Sequence, residues 1–233
     1  MAKKYSGDIR IFYDGYDIGT AMTSVQLSVA VDPLDPTSLG DTAERVISGK
    51  RNDVLEVSGL YDDGVDALNA AQALLSNGTG IFSVAIGNSI GNQAYAGKTF
   101  FLAMKDPANI GDLIKQEASF RPDQAIDRGI ILTPKETISG TSSQTGTNDN
   151  SAASTNGGTL YLHDFSHSGA GTGTIALDHS TDGTTWAAKG TVVGLVSQYS
   201  AASAFTGTIN RYTRLTRGGA GTSDSIASIL VRS

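Results

Sequence analysis

The chain has 233 residues and a formal net charge of −6, from 17 Lys and Arg against 23 Asp and Glu. Hydrophobic residues make up 39%, enough to bury a core and to exclude a wholly disordered chain. With no Cys there is no disulfide, thiolate metal site or thiol nucleophile, and the acidity argues against a binder that neutralises nucleic-acid phosphates.

The opening residues Met1-Ala2-Lys3-Lys4 lead into Tyr5-Ser6-Gly7-Asp8 and not into an apolar stretch, so the expectation is no secretory leader and accumulation in the cytoplasm. The longest apolar runs, such as residues 81–86, are too short to cross a bilayer, so no membrane partner is expected. Ile9, Ile11 and Tyr13 alternate with Arg10 and Phe12, which is strand spacing, and Asp14-Gly15 signals a tight hairpin. Val25, Leu27, Val29 and Val31 alternate with polar or small residues, predicting a half-buried strand. Asp32-Pro33-Leu34-Asp35-Pro36 ends it, since proline withholds a ladder donor.

A long polar segment follows as far as Asp53, with Asp41, Glu44, Arg45, Lys50, Arg51 and Asp53 as mixed charges. It reads either as a solvated loop or as a loop that docks on another subunit. A strand at 54–60 comes next, then a helix capped by Asp62 or Asp63 with Asp66 in its first turn. Val65, Leu68, Ala71 and Leu75 form its apolar stripe, and Asn77-Gly78 closes it. Capping explains these carboxylates better than a cation site, since no calcium-loop spacing is present. Further strands are expected at 80–87, 94–105, 112–120 and 128–133.

Residues 139–157 hold no large apolar side chain and are rich in Ser, Thr, Gly and Asn, which predicts a flexible linker between a domain at 1–138 and another at 158–233. The acidic excess lies before it; the three His and the one Trp lie after it. Short strands at 160–163, 175–178, 190–196, 209–216 and 225–232, with an Asp182-Gly183 hairpin, predict a small β-sandwich. The fold class expected is therefore mainly β. The first domain is an α+β unit, an antiparallel sandwich or flattened barrel with one helix, and the second is a smaller β-sandwich.

The order of elements and the stretch Gly49-Lys50-Arg51-Asn52-Asp53-Val54-Leu55-Glu56-Val57-Ser58-Gly59-Leu60-Tyr61-Asp62-Asp63, followed by the single helix, resemble the major tail (tail tube) proteins of long-tailed, non-contractile bacteriophages. The resemblance covers about residues 5–138, and related folds occur in contractile-tail and secretion-system tubes. It implies a virion protein, assembled in the host cytoplasm, that forms hexameric rings stacked into a tube through which DNA is ejected. Its implied partners are itself, a tape measure protein and a tail terminator. It also implies that residues 32–53 stack on the next ring, with Asp35, Asp41, Glu44, Arg45, Lys50, Arg51 and Asp53 as the contacts. Six copies of a unit of net charge −6 sum to about −36, which repels phosphates where that charge faces the bore, so DNA would slide without specific binding.

Residues 180–186 with 210–215 resemble the galactose-binding-like and discoidin-like sandwiches of carbohydrate-active and phage surface proteins. The implied role is an outward decoration whose Trp186, Arg211, Tyr212 and Arg214 contact a host-surface glycan; solvated strand residues are the plainer reading. The Ser180 to Trp186 stretch is one residue short of a sialidase Asp-box and reads as a turn with Trp186 packed under it. Gly169 to Gly173 is followed by neither Lys-Ser/Thr nor a helix, so it is no phosphate loop. His163 and His167 are spaced for one face of a helix, whereas 160–168 reads as strand, so no metal is expected. No nucleophile or acid–base constellation is legible, so neither an enzyme nor a cofactor is expected.

Overall fold

Alternating residues bury one side of a strand and wet the other, and this pattern sets most of the structure. The computed structural model describes residues 9–37, 43, 46–62, 64, 79–106, 112–123 and 125–233. In the first half the strands are β1 (Ile9–Tyr13), β2 (Tyr16–Asp17), β3 (Met22–Ser28), β4 (Val31–Leu34), β5 (Ile47–Arg51), β6 (Val54–Leu60), β7 (Thr79–Ile86), β8 (Gln93–Lys105) and β9 (Lys115–Pro122). After them come β10 (Asp127–Ser139), β11 (Asn148–Asp149), β12 (Gly158–Ser168), β13 (Gly173–Ser180), β14 (Ala187–Leu195), β15 (Tyr199–Phe205), β16 (Tyr212–Gly219) and β17 (Ser223–Arg232). The fold is mainly β with antiparallel pairing throughout. The expected helix, with Val65, Asp66, Leu68, Ala71 and Leu75, falls on residues outside those described.

Asp14 and Gly15 make the expected turn, at φ 46° and 83°. Gly15 is also required by packing, because a Cβ there would lie 2.6 Å from the Gln198 backbone. One eleven-stranded sheet runs β15-β12-β17-β10-β8-β7-β1-β2, with β9, β6 and β3 branching from β8. The thirteen residues of β8 belong to both arms: Gln93 to Ala96 pair with β10, and Thr99 to Lys105 with β9. A second sheet, β11-β16-β13-β14, covers the far side.

Three layers of core follow. Between β1/β7 and the β3-β6-β9 strands lie Ile11, Tyr13, Leu55, Val57, Phe82, Phe101 and Phe120. Phe101 stacks on Phe120 at 4.7 Å, with the edge of Tyr13 against Phe101. Between β7/β8 and the β10-β17-β12 strands, small residues (Ala85, Ala94, Ala96) face Ile131, Tyr161 and Ile229. Between those same strands and the second sheet lie Leu132, Leu160, Leu162, Ile175, Leu177, Leu215 and Ile226.

The segment 139–157 differs from the free linker expected of its composition. Thr145 and Asn148 are buried. Gln144 bridges to Thr216, β11 pairs with β16, and Ser154 bridges to Ile209. Backbone hydrogen bonds hold it where no apolar side chain could. The halves on either side are also not tethered loosely, because β10 pairs with β17 and β17 with β12 within one sheet.

Candidate functional site

The polar segment between β3 and β6 is a hairpin arm and not an irregular loop. β4 pairs with β5, matching Val31 to Arg51 and Leu34 to Ile47, and Pro33 sits inside β4. Proline is tolerated because the two-stranded arm is all edge. The half-buried strand predicted to reach Val31 stops at Ser28, and the apolar alternation runs on into solvent. Val29, Leu34, Val46 and Ile47 are each more than half exposed, and Val31 nearly so. Isolated apolar side chains on a surface are ordinary, whereas five exposed on one small arm set it apart from the rest of the first half.

Of the expected stacking residues, Asp41, Glu44 and Arg45 lie outside the described residues. Asp35 and Lys50 are exposed on the arm. The carboxylate of Asp35 is held below its ordinary pKa first by a hydrogen bond from the Thr37 side chain and then by the Thr37 N–H at 2.8 Å. Arg51 and Asp53 are placed differently. Asp53 is buried and accepts from Arg51 (Nη2, 2.6 Å) and from the Ile126 N–H (3.2 Å). This pair latches the base of the arm to the body, which occupies the charge of Asp53.

The β3 strand that feeds the arm pairs with β6 on one side only. A groove lined by Ile9, Ile11, Gly19, Met22, Thr23 and Val25 runs beside it. Among the described residues, its outer edge meets no strand. On the outer face of β3-β6-β9-β8, Ser24, Gln26, Glu56, Ser58, Glu117 and Ser119 line a shallow polar trough, and Leu60, Phe100 and Leu102 are also exposed on these strands. Its exposed charges are mixed, since Lys105, Lys115 and Arg121 accompany Glu56 and Glu117.

In the second half the structure brings Trp186, Tyr212 and Arg214 together with Arg211 beside them. The Arg214 guanidinium lies 4.0 Å over the Trp186 ring and 3.6 Å from Asp178. Arg211 lies 4.9 Å over Tyr212 and forms a bidentate pair with Asp149. Both aromatic rings thus already carry a cation on one face, where a sugar would stack. Asp149 is held down to a pKa of about 2, first by its hydrogen bond to Arg211. The turn before Trp186 is built on Asp182, whose carboxylate accepts the Thr184 and Thr185 N–H groups at 2.8 and 2.7 Å.

A regular strand would place His163 and His167 on one face, four residues being two strand periods. A bulge between Asp164 and Ser166 separates them. His163 is fully buried toward the first half, with Nδ1 accepting the Gly15 N–H and Nε2 at 2.8 Å from Ser83 Oγ. Burial pushes its pKa down to about 3. His167 turns the other way, toward Asp224 at 2.6 Å. His179 accepts the Asn210 N–H at 3.1 Å. Sequence spacing missed the group around His167, because Asp224 reaches it only through pairing of β12 with β17, and Arg217 of β16 only through its bond to Asp224. Asp164 there is buried, and burial first, then Asp224, pushes its pKa up to about 7.

No family model matches the chain, and no curated protein matches it. Solved structures do. The chain is similar to a protein of the virion of a native gene transfer agent (GTA) particle, at 15% identity over 54% of this chain and 98% of that one, with a TM-score of 0.45. It is similar to the SPP1 tail tube at 12% identity over 54% of this chain and 78% of that one, with a TM-score of 0.45. It is also similar to the SPP1 Dit protein, described as a hub of the adsorption apparatus in phages infecting Gram-positive hosts. That match has 13% identity over 97% of this chain and 99% of that one, with a TM-score of 0.39. All three are likenesses at low identity to proteins of viral or virus-like particles.

Proposed function

We propose that the chain is a structural subunit of a phage-type tail, and that its first half builds a tube. Neighbouring copies pair along the open edge of β3 to close a ring, which satisfies backbone groups that an edge leaves bare. The β4–β5 arm then lies against the next ring and buries its apolar patch there. Hexameric symmetry, a bore for DNA and contacts with a tape measure and a terminator belong to this reading through the sequence resemblance. The second half rides on the outside and contributes no catalysis.

The observation that supports this most directly is the arm, which exposes five apolar side chains on a hairpin anchored at its base by Arg51 and Asp53. Negative-stain electron microscopy of the concentrated protein tests it. Rings or hollow tubes are expected, and deletion of residues 34–50 is expected to leave soluble protein without tubes. A parent protein that stays strictly monomeric, or tubes of normal length after the deletion, overturns it.

A further inference from the structure

The end of β12 carries a cluster that tube building does not use. The bulge at Asp164 turns this residue and His167, three positions apart, toward the same side. His167 stands opposite Asp224 in the β12–β17 pairing, and its Nδ1 lies 2.6 Å from Asp224 Oδ1. The other oxygen of Asp224 accepts from Nε of Arg217, and both of these residues are fully buried. Arg217 is fixed in turn by donating Nη2 to the Ala220 carbonyl. A carboxylate at Nδ1 keeps the imidazole proton on that nitrogen and leaves a lone pair on Nε2.

Nothing stands in good hydrogen-bonding geometry with Nε2 or with either oxygen of the fully buried Asp164, although the Gly171 and Ser166 backbones lie beside these groups. One ligand atom from each of Asp164, His167 and Asp224 can be chosen so that all lie within 4.8 Å of one another. A Cβ on Gly221 would lie 2.5 Å from Cε1 and 2.8 Å from Nε2, so only glycine fits against this ring. Of the two carboxylates only Asp224 meets the guanidinium, and Asp164 faces the cluster bare. A single divalent cation answers the bare carboxylate and the bare imidazole nitrogen together.

We propose that this cluster binds one divalent transition-metal ion of the zinc type, with Asp164 and His167 Nε2 as direct ligands and Asp224 orienting the imidazole. Water completes the shell, and Nη1 of Arg217, also without a partner, donates to it. The ion would clamp the corner where the chain crosses from the second sheet at β16 to the first at β17.

The test uses the full chain, stripped with chelator and then given Zn²⁺ alone. One equivalent should remain after gel filtration and raise the melting midpoint. Both effects should vanish in Asp164→Asn and His167→Ala and persist in His179→Ala. Long-range ¹H–¹⁵N spectra of the parent protein need no variant to fold: Zn²⁺ should move the His167 Nε2 signal and leave His163 and His179 in place. No retained ion, equal retention by Asp164→Asn and His167→Ala, or a shift confined to His179 overturns the proposal and leaves protons and water as the occupants.

Discussion

In the second half, β12 has β15 on one side and β17 on the other, β13 lies between β14 and β16, and the leucines and isoleucines between the two sheets are buried. In the first half, β3 has one neighbour, and the arm that continues it holds Val29, Val31, Leu34, Val46 and Ile47 in water. The same alternating pattern is spent inward in one region and outward in the other. An exposed apolar strand pattern is therefore not a failed core but a core whose other side belongs to a second molecule, on the reading proposed above.

The contrast can be broken most sharply at the arm. Replacing Leu34 and Ile47 by Ser should abolish tube growth in electron micrographs while changing the unfolding free energy by only about 0.5 kcal/mol, as for surface positions. Equal loss of stability and assembly would mean that the arm packs on its own chain. The opposite behaviour is expected of Leu215, fully buried in the second half. Leu215→Ala should cost about 2–5 kcal/mol in denaturant unfolding, since a cavity replaces packed atoms.

The seam between the halves gives a smaller effect. Lys135 on β10 stands 4.5 Å over the Phe165 ring of the second half and holds the buried Asp17 of β2 at 2.9 Å. Lys135→Met should cost about 1–3 kcal/mol by leaving a buried charge without its partner, and adding Asp17→Asn should restore part of that. The smallest effect belongs to Tyr13. Burial, and then Asp14, raise its phenol from 10.0 to about 12. The folded state thus holds the proton more tightly than the unfolded one. This contribution is complete below pH 10 and is lost as pH rises toward 12. Alkaline unfolding curves should fall less steeply through that window for Tyr13→Phe than for the parent.

Period-two alternation made most strands legible, including Ile9–Tyr13, Val54–Leu60 and the hairpin at Asp182-Gly183. It could not show β15, whose Tyr-Ser-Ala-Ala-Ser-Ala-Phe run has few side chains of strand preference and is held by pairing with β12. Residues 139–157 were opaque for a related reason: their order comes from hydrogen bonds to β16, which hydrophobicity does not record. In the arm, sequence singled out the charges, whereas the structure exposes the apolar residues between them. The cluster at His167 was hidden by a bulge, because one inserted residue reverses the facing of everything after it.

The sharing of β8 between both arms of the sheet has a mechanical consequence. A pull on the second half would be borne by the ladder hydrogen bonds that β10 makes to β8 and to β17, and not by a slack string. On the tube reading proposed above, every second half would then point along a fixed bearing relative to its own ring, and a twist of the tube would turn the second half with it.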